Sequence, residues 1–257
     1  MTDACRRIWL VSGTGEGPEL ARTLLQRGWQ LRVSVVSSDA TRSYPQHPQL
    51  HCQVGPLGAG EALQKQLRAW PCRWLIDAAH PFARQVHPAL QQACAAVEQP
   101  LLRLQRPLIA PAGATVLPNL EALAQHPLQG EQLLLALGAR QLERALQLSQ
   151  ADGHAVRLLP NPAALSRALE LRLPPERIAC LRPQSVVDPT CSVEAALCRR
   201  WGITAVLARQ SGGPPEQQWH AICAHQGLKL LLLQRPLERA TTAMPLAQLL
   251  AHIGSPG

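Results

Sequence analysis

The first residues of the chain alternate short apolar runs with an amphipathic stretch. Residues 7–12 contain the apolar run 8–11 and have the length of a buried strand, and residues 31–36, which are mostly apolar, have the length of a second one. Between them, residues 18–27 place their leucines on one helical face and end at Gly28, which predicts an amphipathic helix. A strand, a helix and a strand in this order predict a βαβ unit with parallel strands.

The same alternation continues to the C-terminus. Further strands are predicted at residues 73–77, 100–104, 132–137, 155–159, 178–181, 204–208 and 228–233. Helices are predicted at residues 58–70, 87–97, 139–148, 161–171, 192–201, 215–226 and 245–253. Residues 105–130 are rich in proline and lack a period, so this segment is the best candidate for a domain connection. We therefore predict an α/β protein with two Rossmann-like parallel-sheet domains, residues 1–107 and 108–257, and a cleft between them.

Neither the apolar runs of the chain nor its cysteines indicate a membrane or an oxidising compartment. No run of about 18 apolar residues occurs, so no transmembrane helix is expected. The apolar run at residues 8–11 is too short for a signal peptide, which favours a cytoplasmic protein. The eight cysteines contain no C-x-x-C pair, so we expect reduced structural thiols and no metal site.

The charge of the chain is basic and is carried almost entirely by arginine. The formal net charge is +8, and only Lys65 and Lys229 among the 25 basic residues are lysines. Arginine pairs with carboxylates and phosphates, so anionic partners are expected. The arginines are scattered, and the chain has one Phe, one Tyr and six Trp, which supplies a base-stacking surface poorly. The charge therefore indicates an anionic partner of unspecified kind, and the composition argues against nucleic acid.

The turn after the first strand is rich in glycine. Its residues are Ser12, Gly13, Thr14, Gly15, Glu16 and Gly17. Backbone N–H groups between a strand and a helix attract phosphate, and glycine permits close approach. Pro18 breaks the full G-x-G-x-x-G pattern, and no Walker lysine follows. A phosphate-binding loop and an ordinary turn both stay open at this point.

The end of the second predicted strand carries residues that bear on the choice of nucleotide. Ser37, Ser38 and Arg42 suit the 2′-phosphate of NADP, whereas Asp39 would suit the ribose of NAD. An exposed loop without a ligand is the alternative. The residues alone leave both nucleotides open, with more side chains suited to NADP.

The third predicted strand, at residues 73–77, ends in a carboxylate, and an imidazole follows it. Asp77-Ala-Ala-His-Pro-Phe-Ala83 leaves the carboxyl end of a buried strand, where ligands bind in open α/β sheets. His80 is a candidate to donate a proton or a hydrogen bond, with Asp77 as its catalytic neighbour. The alternative is that Asp77 caps a local turn and that His80 is an ordinary loop histidine.

Two further segments suit carboxylates. Arg103 and Arg106 follow another strand, and arginine binds carboxylates bidentately. Ser211, Gly212 and Gly213 follow a strand of the second half, where backbone N–H groups suit an anion. Surface arginines and a simple turn are the alternatives.

Taken together, these segments resemble the precorrin-6A reductase family of cobalamin biosynthesis. The resemblance rests on the Gly-Thr-Gly-Glu loop at 13–16, Asp77-Ala-Ala-His-Pro-Phe-Ala83, Arg103-x-x-Arg106-Pro107, and Ser211-Gly-Gly213 followed by Arg235-Pro236. It departs from the family at Ser12, where glycine is common, and at Arg209, where lysine is frequent.

The resemblance implies NADPH-dependent reduction of precorrin-6A, or of its cobalt form, to precorrin-6B. It places the cofactor on residues 12–16 and implies an anionic tetrapyrrole as substrate. A proton would come from water or from a side chain such as His80, while Arg103, Arg106 and residues 211–213 would hold carboxylates.

Two other classes of protein stay open beside this one. A non-catalytic NADP-binding regulatory module and a reductase of another anionic substrate fit the same residues. A short-chain dehydrogenase does not, because the single tyrosine, Tyr44, is not followed by the Y-x-x-x-K lysine. The cobalt content of the substrate, the proton donor and the oligomeric state are also open at this point.

Overall fold

The chain folds into two compact units, each built on a parallel sheet. A computed structural model describes residues 3–13, 15–183, 186–236 and 243–256. The first unit comprises Met1–Pro107 and Pro236–Gly257, and the second comprises Leu108–Arg235. Within the described ranges each unit contains one six-stranded sheet. The predicted α/β class with two parallel Rossmann-like sheets is confirmed.

The first unit carries the N-terminal sheet. Its strands are β1 (Arg7–Ser12), β2 (Gln30–Val35), β3 (Leu50–Val54), β4 (Trp74–Ala78), β5 (Leu101–Leu104) and β12 (Ala243–Met244). Its α-helices are α1 (Glu16–Gln26), α2 (Ser38–Thr41), α3 (Gly60–Ala69), α4 (Val86–Ala96) and α9 (Leu246–Ile253). The strand order is β12-β5-β4-β1-β2-β3, and every pair is parallel.

Strand β1 is covered on both faces, which explains its uninterrupted apolar run. Ile8 and Leu10 belong to a core cluster formed with α1 and α9. Trp9 and Val11 belong to a second cluster on the other face, formed with α3 and α4. A parallel strand buried on both faces needs apolar residues at every position. This double burial fixes the carboxyl end of β1, from which the glycine-rich turn departs.

The second unit carries the other sheet. Its strands are β6 (Thr115–Leu117), β7 (Gln132–Leu135), β8 (Gly153–Leu158), β9 (Ile178–Cys180), β10 (Ala205–Arg209) and β11 (Lys229–Leu233). Its α-helices are α5 (Ala139–Leu148), α6 (Pro162–Glu170), α7 (Val193–Arg200) and α8 (Pro214–Gln226). The strand order is β6-β11-β10-β7-β8-β9, again with parallel pairs.

The C-terminal segment lies in the first unit, although it was predicted in the second domain. The predicted boundary after Pro107 coincides with the division between the units, but Pro236–Gly257 returns to the first one. Strand β12 pairs with β5, and α9 buries Leu249 and Ile253 in the core around α1. Trp29 Nε1 also donates to the Gly254 carbonyl at 3.1 Å. The apolar face of α9 is thus buried far from its sequence neighbours.

Three strands were absent from the prediction, and all three lie at sheet edges. They are β3, β6 and β12. Strand β3 is half-buried at best and pairs with β2 alone. An edge strand has one neighbour and one exposed side, so it lacks the continuous apolar run on which the prediction relied.

The cysteines are thiols, as the sequence indicated. All eight are free. Burial raises the pKa of Cys72, Cys198 and Cys223 to about 12, which keeps these thiols protonated and unreactive at neutral pH. Their role is to fill the core.

Candidate functional site

The register of the first sheet brings several predicted site residues to one edge. Strand β4 aligns Asp77 with Val11 of β1 and with Arg103 of β5. Ser12 is the last residue of β1 and lies opposite Ala78. In a parallel sheet these strand ends face the same side, so the glycine loop and the 77–83 segment start beside each other.

The glycine loop packs against the backbone that carries His80. The Gly13 N–H donates to the Ala78 carbonyl at 3.4 Å. A Cβ on Gly13 would lie 3.3 Å from the His80 amide nitrogen and 3.6 Å from the Ala79 Cα, so glycine permits this close approach. A Cβ on Gly15, in contrast, would meet open space. Thr14 lies outside the described residues.

Gly17 is the most tightly enclosed glycine of this loop. A Cβ there would overlap the Ser12 Oγ and the Tyr44 hydroxyl. Ser12 and Tyr44 are both buried, and burial raises the pKa of Tyr44 to about 12. Tyr44 thus packs against the first turn of α1. No sequence motif around Tyr44 indicated this packing role.

Glu16 and Arg106 form a largely buried ion pair. Arg106 Nη2 donates to Glu16 Oε2, and the two side chains are 8% and 20% exposed. From the sequence, we expected Glu16 to bind the cofactor and Arg106 to bind the substrate. The structure joins them, so Arg106 anchors the N-terminal turn of α1 to the segment that follows β5.

Asp77 lies behind its loop and is 2% exposed. Its Oδ1 accepts the Ala79 N–H at 3.1 Å, and its Oδ2 lies 2.6 Å from His87 Nδ1. His87 Nε2 lies 3.1 Å from the His80 carbonyl oxygen. Asp77 and His87 thereby hold both ends of the Ala78–His80 turn.

The His80 side chain is half-buried and has a defined tautomer. Its Nδ1 accepts the Phe82 N–H at 3.2 Å. A ring nitrogen that accepts a hydrogen bond carries no proton, so the neutral ring has its proton on Nε2. The His80 and Phe82 ring centroids are 5.8 Å apart. The neutral His80 ring can therefore donate a hydrogen bond only from Nε2.

The residues after β2 follow the carboxyl end of an inner strand of the sheet. Ser38 opens the short helix α2, and Ser37 precedes it in an extended conformation. Arg42 Nη1 lies 3.4 Å from Asp39 Oδ1, with side chains 77% and 49% exposed. The local pairing offsets the charge of Asp39, the residue that argued for NAD.

The second unit places a glycine loop between β10 and α8. Ser211 is buried, and Gly212 has a φ of +72°, a conformation that favours glycine. The Gly212 N–H donates to the Glu216 carboxylate at 2.5 Å. From the sequence, we expected this N–H group to bind an anionic ligand. In the structure it binds Glu216, in the first turn of α8.

Arg209 lies at the end of β10, at the same edge. Its Nε donates to Gln141 Oε1 at 3.1 Å, and its guanidinium faces Gly138, whose φ is +81°. Burial, and then the positive charge of Arg140, lower the pKa of Arg209 to about 10. With a pKa of about 10 the Arg209 guanidinium still carries its charge at neutral pH, so it can pair with an anion.

Comparison with known proteins decides the family. The sequence profile of the family "Precorrin-6x reductase CbiJ/CobK" matches residues 7–254. The chain belongs to the precorrin-6x reductase family. The cobalt-precorrin-6A reductase of Synechocystis sp. (strain ATCC 27184 / PCC 6803 / Kazusa) is 31% identical over 242 residues, which cover 92% of this chain and 91% of that protein.

Further relatives carry the same family name. The precorrin-6A reductase of Rhodococcus erythropolis is 29% identical over 97% of this chain and 98% of its own. The solved structure of "CobK precorrin-6A reductase" superposes with a TM-score of 0.75 at 25% identity, covering 97% of this chain and 98% of that one. The resemblance predicted from the sequence is confirmed, and the protein is an oxidoreductase by family.

In this precorrin-6x reductase, the structure gathers most of the predicted residues of the first unit at one sheet edge. Ser12, Gly13, His80 and Arg103 lie there together with the Glu16–Arg106 pair. Sequence reasoning missed His87, although a second histidine ten residues after Asp77, on the first turn of a helix, is a usable signal. It named Arg209 only as a departure from the family.

Proposed function

We propose that this protein reduces one double bond of precorrin-6A, or of its cobalt form, with NADPH to give precorrin-6B. Membership of the precorrin-6x reductase family, over residues 7–254, is the observation that carries the proposal. When bound, the nicotinamide would supply a hydride to one ring carbon, and a proton would add to the adjacent carbon. The C=C bond would become CH–CH as the cofactor is oxidised to NADP⁺.

The glycine loop fits the pyrophosphate of the cofactor. Gly13 lies against the Ala79–His80 backbone on one side, so a ligand would approach it from the other side. Gly15 is the N-cap of α1, and the space that its Cβ would occupy is open among the described residues. The N-terminus of this eleven-residue helix attracts phosphate. We assign Ser12, Gly13, Gly15 and, by its place in the loop, Thr14 to the cofactor. Glu16, paired with Arg106, orients the first turn.

The turn after β2 supports NADPH over NADH. Ser37 and Ser38 offer hydroxyl donors, and the Arg42 side chain is 77% exposed, so it can reach a 2′-phosphate. Asp39, which would oppose that phosphate, lies beside Arg42. We assign Ser37, Ser38 and Arg42 to the 2′-phosphate.

Acidic side chains of the tetrapyrrole need cationic or N–H partners. In the second unit we assign Arg209 and residues 211–213 to substrate carboxylates, with Arg209 as the main donor because Gly212 already bonds to Glu216. In the first unit Arg103, beside Asp77 in the sheet, is the corresponding assignment. His80 presents its Nε2–H to the substrate, and Asp77 holds the turn that carries it.

The thiols suit a reducing compartment. All eight cysteines are free, and no helix within the ranges described is both long and apolar enough to span a bilayer. We propose that the enzyme acts in the cytoplasm.

The function is tested by following cofactor oxidation at 340 nm under anaerobic conditions. Precorrin-6A and its cobalt form are each supplied with NADPH or NADH. We expect oxidation that depends on a precorrin, with NADPH favoured at least about tenfold, because one phosphate contact contributes at least about 1.4 kcal/mol. Tight NADPH binding without oxidation on either substrate would instead indicate a cofactor-sensing module.

A further inference from the structure

His87 connects two groups that the proposed reaction uses. Its Nδ1 lies 2.6 Å from the Asp77 carboxylate, and its Nε2 lies 3.1 Å from the carbonyl oxygen of His80. A carbonyl oxygen accepts hydrogen bonds and cannot donate, so Nε2 must carry a proton. His87 and Asp77 are both buried, which leaves these contacts shielded from water.

The state of the Asp77–His87 pair follows from its hydrogen bonds. Asp77 accepts at both oxygens, from the Ala79 N–H and from His87. His87 is the second residue of α4, so its contacts tie the turn after β4 to the first turn of that helix. Because Nε2 carries one proton, the contact between His87 Nδ1 and Asp77 Oδ2 holds a second proton that the two groups share. Their 2.6 Å separation is short for an N–H···O hydrogen bond.

The state of His80 follows in the same way. Its Nδ1 accepts from the Phe82 N–H at 3.2 Å. A proton on this nitrogen would place two donors against each other and break the contact. A neutral imidazole with Nε2–H donates hydrogen bonds well but gives up its proton poorly at neutral pH.

We propose that His87 is a positioning residue that, paired with Asp77, fixes His80 as a neutral hydrogen-bond donor to the substrate. This inference rests on the proposed reductase function. His87 holds the His80 carbonyl, and the resulting turn aims His80 Nε2 while its Nδ1 is occupied. His80 stabilises charge on the macrocycle as the hydride adds, and water supplies the proton to the adjacent carbon.

Amide replacements separate the two contacts of each histidine. Glutamine places an amide nitrogen near the position of Nε2, and asparagine places one near Nδ1. For His80 we expect His80→Gln to retain at least about tenfold more kcat than His80→Asn, which should lose about a hundredfold, the effect of one removed transition-state donor. Equal losses in both variants would overturn the donor role.

The same logic applies to His87. His87→Asn keeps the Asp77 contact and loses the His80 contact, so kcat should fall between about tenfold and a hundredfold while the melting temperature changes little. His87→Gln keeps the contact with the His80 carbonyl oxygen but leaves the Asp77 carboxylate without its partner. The double variant His87→Gln with Asp77→Asn removes that carboxylate, so its kcat should exceed that of His87→Asn. A folded His87→Asn enzyme with wild-type kcat would contradict the proposal.

A spectroscopic readout separates this inference from the proposed function. Nitrogen-15 NMR of the wild-type protein should show a protonated Nε2 for His87, and for His80 an unprotonated Nδ1 with a protonated Nε2. Any other pattern overturns the inference, whatever the activity. Absence of turnover in the wild type, with this pattern present, would instead refute the proposed reaction.

Discussion

Replacing Gly17 by alanine should destabilise the first unit and weaken NADPH binding. The new Cβ would overlap the buried Ser12 Oγ and Tyr44 hydroxyl. Alanine gains up to about 1 kcal/mol of helix propensity over glycine, whereas overpacking of a buried site costs about 1–3 kcal/mol. We expect a net loss of about 1–2 kcal/mol in the free energy of unfolding, measured by denaturant titration. NADPH affinity should fall because α1 must move away from the loop.

Gly15→Ala is the matched control for this change. Its Cβ would meet no described residue within 4 Å beyond its sequence neighbours and the backbone of α1, and Gly15 already has an αR backbone. Stability should therefore stay within about 0.5 kcal/mol of the wild type. NADPH affinity should nevertheless fall, because the open space beside Gly15 is where we place the pyrophosphate. A Gly15→Ala protein that binds NADPH normally would remove this residue from the cofactor site.

Replacing Arg106 by glutamine should cost about 3 kcal/mol of stability. The change leaves the Glu16 carboxylate, which is only 20% exposed, without its partner. Removing one member of a buried pair typically costs about 3–5 kcal/mol, and the partial exposure of Glu16 places this site at the lower end. Denaturant unfolding measures the loss. NADPH affinity should fall as well, since the pair fixes the first turn of α1.

Arg167→Gln is the matched surface control. Arg167 pairs with Glu143 and Glu170, but its side chain is 44% exposed. Exposed ion pairs contribute about 0–1 kcal/mol, so this variant should unfold almost as the wild type does. The double variant Glu16→Gln with Arg106→Gln should recover part of the stability that Arg106→Gln loses. Equal losses for Arg106→Gln and Arg167→Gln would contradict an anchoring role for Arg106.

Much of the fold follows from the sequence because the inner strands are buried on both faces. Strand β1 and helix α5, for example, occur where the apolar pattern predicted them. Strand β12 could not be predicted from the apolar pattern, because a strand of two residues shows no periodicity. Its pairing with β5 alone defines it. The place of α9 in the first unit depends on Leu249 and Ile253 meeting α1, a contact between the two ends of the chain.

Only the parts of the site that lie in a short sequence motif could be predicted. The glycine loop and the 77–83 segment could be located because each follows a buried strand. The partners of these motifs could not, since Tyr44 reaches Gly17 and Arg106 reaches Glu16 from distant parts of the chain. The engagement of Gly212 by Glu216 was equally hidden, because a glycine turn looks the same with its N–H groups occupied or open.

We expect a hydride to pass directly from NADPH to the macrocycle. The most direct test uses NADPH deuterated at one or the other face of nicotinamide C4, followed by mass spectrometry of the reduced precorrin. The product should contain a single deuterium from one labelled form and none from the other. Reduced product without deuterium from either form would contradict direct hydride transfer from this cofactor.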